Sequence, residues 1–419
     1  MEPYNPRRLL LGRTVVIQKA SIALVVGLSY VAITPAQARE DALGQLANTH
    51  RWFELRDTAN ARTSPLVRGA LAAAFNDPPT AERLLRGVIR DEPRSESAAD
   101  AYALLAYLYL RTGQYERFAT LYQAWAAAFP QSATVREEWE NFEKYRGRPN
   151  QLNGRRRRSV VRHDAGGYPT LPISIDGKAD DFIFDTGALQ SAVTERMARK
   201  LGMTIQDDPR TLIDISGTRT AFRTAVAKKV TLGSMTFRDV SFAVIAPGGA
   251  LADAEIGIIG LPIIVAMGGI NWSNSGTAEF GGPFPSSSGE PNLVFDRSRL
   301  VLRAEVLGKS VLAAVDTGAN STDLNGNFAD LFPDVVATGK KGSADLNGVG
   351  GTQTFPSVEL PELIFTIGSR RVPLRPAVVT MQRNSVGGGE CCVANAGHDL
   401  LRQGQGFSLD LATMTLELR

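Results

Sequence analysis

Two aspartates stand out by their setting. Asp185 and Asp316 each follow a short apolar run, Phe182-Ile183-Phe184 and Ala313-Ala314-Val315, and each opens the tetrapeptide Asp-Thr-Gly-Ala. A Gly-Lys pair precedes each aspartate in the same frame, Gly177-Lys178 and Gly308-Lys309, and the two copies lie 131 residues apart. An isolated Asp-Thr-Gly is commonly a β-turn with a solvated carboxylate. Duplication at the ends of buried-type strands argues against that reading here. Two carboxylates held close together cannot both ionise easily, so they share a proton. One can then take a proton from water while the other supplies one, which is hydrolytic chemistry without metal or covalent nucleophile.

The elements that must position these groups are β-strands. Beyond Gly166, β-branched runs at 171–175, 182–184, 229–232, 240–245 and 256–259 alternate with Gly-rich turns, the spacing of an all-β sandwich or barrel. The duplication extends downstream. DISGTRTAF (214–222) is answered by DLNGVGGTQTF (345–355), and Ile258-Ile259-Gly260-Leu261-Pro262 by Asn395-Ala396-Gly397-His398-Asp399. Each copy closes on a strand pair, 269–280 and 406–418. Two homologous lobes, 166–282 and 291–419, are thus expected in tandem, joined by a linker at 283–290.

Asp-Thr-Gly-Ala after an apolar strand, followed by a Gly turn and an apolar-apolar-Gly segment, resembles the retropepsin-type aspartic proteases, over both lobes. The resemblance implies a dyad of Asp185 and Asp316 holding the attacking water. It implies that Thr186 and Thr317 hydrogen-bond across the lobe interface and that Gly187 and Gly318 bring amide N–H groups to the carboxylates. Ala188 and Ala319 stand where pepsin-like members often carry Ser or Thr. Loss of that hydroxyl is expected to raise the pKa values of the dyad and move the working pH away from strong acid. Ser216, Gly217 and Thr218 in the first lobe and Gly348, Val349 and Gly350 in the second are the candidate flap tips. Neither carries the pepsin-type tyrosine.

Residues 39–148 have a different texture. Apolar residues recur at three and four, as in Tyr102, Leu105, Ala106, Tyr109 and Phe118, Leu121, Tyr122, Trp125. Residues 101–130 resemble one tetratricopeptide (TPR) repeat, with Gly113 at the helix-helix turn and Pro130 closing the unit. A third helix at 132–145 is expected to cap the stack. The aromatic stripe reads as core rather than ligand surface, so this part is a scaffold or docking surface. Arg155 to Arg158 sit in a stretch, 149–165, that reads as a solvated basic linker.

Residues 1–38 read as a secretory signal: Arg7, Arg8, Arg13 and Lys19 precede an uncharged run that ends in Ala36-Gln37-Ala38. An uncleaved membrane anchor is the alternative. Cleavage near Ala38 would leave a periplasmic or secreted protein. Of 46 basic and 43 acidic residues, four and one lie in this leader, so 42 of each remain and the net charge of +3 belongs to the leader. Such a balance does not ask for nucleic acid. With two Cys and three His in 419 residues, a disulfide scaffold is excluded and no metal site or cofactor is expected. Cys391-Cys392 could form a vicinal disulfide or remain as free or intermolecular thiols. His398-Asp399 reads as structural, because it matches Leu261-Pro262 in the repeat.

The expected fold is multidomain, α plus all-β: TPR-like helical hairpins followed by a bilobal retropepsin-like β-barrel aspartic protease. The expected function is an exported aspartic endopeptidase acting on peptides or unfolded proteins, its protease unit a monomer, with a protein partner at the TPR-like segment. The alternative is a catalytically inactive peptide- or protein-binding member of the same fold.

Overall fold

Burial alternates along β3 (Thr170–Ile175) and β4 (Lys178–Phe184), turning Leu171, Ile173, Ile175, Phe182 and Phe184 inward. Asp176 and Gly177, between them, have φ of 49° and 94°, the positive values needed by a two-residue hairpin turn that follows the strand twist. The second lobe repeats this hairpin with β13 (Arg299–Val306) and β14 (Lys309–Val315), and Leu307 and Gly308 at φ of 51° and 76° in the turn. The computed structural model describes residues 44–46, 49–132, 147–164, 168–213, 219–246, 254–282, 284, 289–348, 351–382 and 391–419. The leader and nearly all of the expected third helix lie outside them. Among the described residues no helix is long and apolar enough to cross a membrane.

The first lobe's remaining strands are β1 (Leu152–Asn153), β5 (Ser191–Thr194), β6 (Ile205–Ile213), β7 (Arg219–Leu232), β8 (Met235–Ile245) and β9 (Gly257–Ile259). They form a sheet in the order β1-β8-β5-β9-β4-β3-β7-β6, with β8 also paired to β7. The second lobe has β12 (Leu293–Asp296), β15 (Asp323–Leu324), β16 (Lys340–Gly348), β17 (Gly351–Leu360), β18 (Leu363–Ile367), β19 (Arg370–Leu374), β20 (Ala377–Thr380) and β21 (Ala394–Ala396). Its central order, β20-β15-β21-β14-β13-β18, matches β8-β5-β9-β4-β3-β7 of the first lobe strand for strand. In both lobes the aspartate-bearing strand runs parallel to the later apolar strand, with Phe184 opposite Ile259 and Val315 opposite Ala396. Buried β-branched and aromatic side chains on both faces suit such central parallel pairs.

A third sheet belongs to neither lobe alone. Its order is β2 (Ser159–Arg162), β11 (Thr277–Phe280), β10 (Gly269–Ser273), β22 (Gly406–Asp410) and β23 (Thr415–Leu418), and β10 of the first lobe pairs antiparallel with β22 of the second. Trp272, buried in this sheet, stacks on His163 at 3.8 Å and on Phe407 at 6.2 Å between ring centroids.

Arg155 to Arg158 are exposed, and short strands flank them. The strand before them, β1, is paired to β8, and the one after, β2, is paired to β11. Arg156 donates to the carbonyls of Val265 and Ala266 at 3.1 and 2.8 Å, at the carboxyl end of α7 (Leu261–Met267), where a cation opposes the helix dipole. Arg148 is buried against Asp208 at 2.8 Å, and also donates to Thr224 and Ser241.

The helical part comprises α1 (Trp52–Thr58), α2 (Pro65–Ala74), α3 (Pro78–Asp91), α4 (Glu96–Arg111) and α5 (Tyr115–Ala128), followed in the lobes by α6 (Glu195–Leu201), α7, α8 (Gly326–Leu331), α9 (Pro333–Ala337) and α10 (His398–Leu401). Ser64 and Asp77 cap α2 and α3, each before a Pro at the first helical position. The chain divides into two compact bodies, one ending at Leu105 and the other running from Ala106 to the carboxyl terminus. Within the second, Gln151 N donates to Gly113 O at 2.8 Å, and Asn150 Oδ1 accepts from Glu116 N and Arg117 N at the start of α5. The Arg111 guanidinium sits 4.3 Å over the Phe295 ring. Tyr109, Tyr115, Phe118, Tyr122 and Trp125 are all buried, so the aromatic stripe is core.

Candidate active site

β4 and β14 end where Asp185 and Asp316 begin, and the parallel neighbouring strands hold the backbone of both aspartates. Asp185 N donates to Ile259 O at 3.1 Å and Asp316 N donates to Ala396 O at 3.0 Å. The next residues cross between lobes. Thr186 Oγ1 donates to Val315 O at 2.7 Å and accepts from Thr317 N at 3.1 Å; Thr317 Oγ1 donates to Phe184 O at 2.6 Å and accepts from Thr186 N at 3.0 Å. Both threonines are buried. This exchange brings the two Asp-Thr-Gly loops face to face.

The loops touch so closely that only glycine fits at their third positions. A Cβ on Gly187 would lie 2.7 Å from Asp316 Cγ, and one on Gly318 would lie 2.5 Å from Asp185 Cγ. Each carboxylate is therefore packed against the opposite lobe. Gly187 N and Ala188 N donate to Asp185 Oδ1 at 2.8 and 3.1 Å, and Gly318 N donates to Asp316 Oδ1 at 3.0 Å. Ala319 N caps its own turn on Asp316 O at 3.2 Å. Burial first, and then the negative charge of Asp316, push the Asp185 carboxyl well above the usual carboxylate range, against the lowering effect of the Gly187 and Ala188 amides.

The six loop residues singled out in the sequence thus converge with the two aspartates. The flap candidates do not enter this cluster on the same footing. Ser216, Gly217, Thr218, Val349 and Gly350 lie outside the described residues. The strands flanking them pair as hairpins, Ile213 opposite Arg219 and Gly348 opposite Gly351.

Other signals resolve structurally. Asp399 Oδ1 accepts from Thr322 N at 2.8 Å and Thr322 Oγ1 at 2.6 Å, an anchor for the chain after Asp316 rather than a relay with His398. His398 N donates to Ala319 O at 2.9 Å, and burial, helped by the charge of Arg402, pulls its imidazole down to about 4. Cys391 and Cys392 form a vicinal disulfide, just ahead of β21.

Sequence reading missed two polar residues on β21 and β15. Asn395 Nδ2 donates to Asp316 Oδ2 at 2.9 Å. Asp323 is the cross-strand partner of Asn395. The signal was present in the repeat, since Asn395 stands where the first lobe has Ile258 and Asp323 where it has Ala192. Burial pushes the Asp323 carboxyl up to about 7, opposed by a hydrogen bond with Thr380. A raised acid stabilises the fold fully below its unfolded value of 3.8 and loses that contribution as pH rises towards 7. Asp323→Asn is therefore expected to match the wild type in urea unfolding at pH 4 and exceed it by up to about 4 kcal/mol at pH 8. Equal stabilities at pH 8 would refute this.

Residues 171–263, running from β3 into α7, match the aspartyl protease family. That span contains Asp185 and the three residues after it. Among solved structures, a retropepsin-like aspartic protease from Rickettsia conorii is similar at 17% identity with a TM-score of 0.22, over 31% of this chain and 92% of that one. A comparison with curated proteins gives no match.

Proposed function

We propose that this protein is an aspartic endopeptidase in which Asp185 and Asp316 activate a water molecule for attack on a peptide carbonyl. The observation that carries the reading is the reciprocal threonine exchange, which presses each carboxylate against the glycine of the opposite lobe. In the reaction, the ionised carboxylate takes a proton from water as its oxygen bonds to the carbonyl carbon. The protonated carboxyl donates to the carbonyl oxygen, giving a tetrahedral diol. Collapse breaks the C–N bond as a proton reaches the leaving nitrogen, and the dyad regains its single proton. The substrates are peptides or unfolded proteins, and one chain supplies the whole protease unit. Export follows cleavage near Ala38, and the TPR-like helices dock a protein partner.

The test is cleavage of an unstructured protein between pH 3 and 7. Because burial and the opposing charge hold the Asp185 proton on, kcat/KM is expected to rise from strong acid to a maximum well above about pH 2 and to fall at alkaline pH once both carboxyls ionise. A maximum at about pH 2 would overturn the pH assignment. Tight peptide binding without cleavage at any pH would overturn the enzyme reading in favour of a binding protein.

A further inference from the structure

The two halves of the dyad carry the same tetrapeptide, yet their surroundings differ. On Asp185 both amide donors converge on Oδ1. On Asp316 both oxygens are engaged, Oδ1 by Gly318 N and Oδ2 by the Asn395 amide. The difference comes from one register position. Asn395 lies opposite Ala314, two residues before Asp316, and Ile258 lies opposite Ile183, two residues before Asp185. Ile258 has no group to donate.

We infer that Asn395 is a positioning residue that fixes Asp316 as the ionised base of the dyad and leaves the shared proton on Asp185 Oδ2. A donor to a carboxylate favours its charged form, and an oxygen with no donor is where a proton is least opposed. Both oxygens of Asp185 lie against Gly318, the residue whose amide binds Asp316, so the Asp185 carboxyl faces the opposite loop of the dyad. The other charged and titratable groups around Asp316 act in the same sense or are silent. Arg299, on β13, interacts electrostatically with Asp316 and favours its negative charge, whereas the first lobe has Tyr168 at the equivalent position, hydrogen-bonded to Asn320. Asp323, beside Asn395 on β15, is neutral below about 7, and His398 is neutral above about 4. Two lobes of common origin therefore have separate duties: the second lobe deprotonates water, and the first protonates the carbonyl oxygen.

This assignment rests on the endopeptidase reading but is measurable without turnover. In protein carrying 13C-labelled aspartate carboxyls, with Asp185→Asn and Asp316→Asn to assign the two resonances, Asp185 is expected to be the carboxyl that holds its proton to the higher pH. In Asn395→Leu the proton should no longer be confined to Asp185, whose resonance should begin to titrate at lower pH than in the wild type, with kcat reduced about 10-fold in the acid range and KM changed less than about 2-fold. The exchange Asn395→Ile with Ile258→Asn should lower the pH at which Asp185 loses its proton. Asp185 losing its proton first in the wild type, or an unmoved Asp185 in Asn395→Leu, would overturn the inference. A wild type that titrates as expected yet cleaves nothing would leave the inference standing and remove the endopeptidase reading instead.

Discussion

Asp185→Asn and Asp316→Asn are each expected to lower kcat for peptide hydrolysis by about 10³-fold or more, with the fold intact. Asparagine keeps the shape of the side chain and an oxygen able to accept from Gly187 N or Gly318 N. It has no proton to lend at the carbonyl and no basicity to draw one from water. Stability should move the other way in the first variant. Asp185 is held well above its usual range, so its ionisation weakens the fold as pH rises above the unfolded value of 3.8. Removing that group at neutral pH therefore raises, or leaves unchanged, the thermal midpoint while activity disappears. Loss of activity with a parallel fall in the midpoint would mark Asp185 as structural. Unchanged activity in either variant would reject the dyad. Kinetics and thermal unfolding of the same preparations decide it.

Thr186→Val and Thr317→Val are expected to cost about 2–4 kcal/mol each, because each leaves a buried carbonyl and a buried N–H without partners. Thr186 serves Val315 O and Thr317 N; Thr317 serves Phe184 O and Thr186 N. Since each hydroxyl serves the other's backbone, the double variant should cost less than the two single costs added, by about 1 kcal/mol or more. Serine at either place retains the hydroxyl and should recover most of the loss. Urea midpoints for the four proteins form the cycle, and strict additivity would show that the two hydroxyls do not act as a pair. Activity should fall in the single valine variants as well, since loosening these loops lets the facing carboxylates drift.

Much of the site was legible because the chain contains its own comparison. Asp185 and Asp316, with the Thr, Gly and Ala after them, recur in one frame, and the frame predicted which strands carry them. The repeat also located the parallel partner segments through Gly260 and Gly397. What it hid were the departures from symmetry: Asn395 and Asp323 face Ile258 and Ala192 in the repeat, and a search for likeness passes over them. The short strands flanking the arginine run were unreadable for another reason. Whether a short polar run becomes a strand is decided by the edge it meets, and β2 meets β11 more than a hundred residues away. The bonds at the start of α5 were hidden in the same way, because Asn150 and Gln151, which supply them to α5 and the turn before it, lie outside the helical pattern.

The shared sheet has a consequence for how the protein behaves at low abundance. β10 and β22 join along five residue pairs, Gly269 with Asp410 through Ser273 with Gly406, and the intervening chain keeps each half at a fixed local concentration around the other. When a site is assembled from two separate molecules, its competent fraction collapses once the sample is diluted below the dissociation constant. Here specific activity should be independent of dilution, down to a few copies per compartment. A nick within residues 283–290 would remove that protection and uncover two bare strand edges, each a template for unwanted pairing.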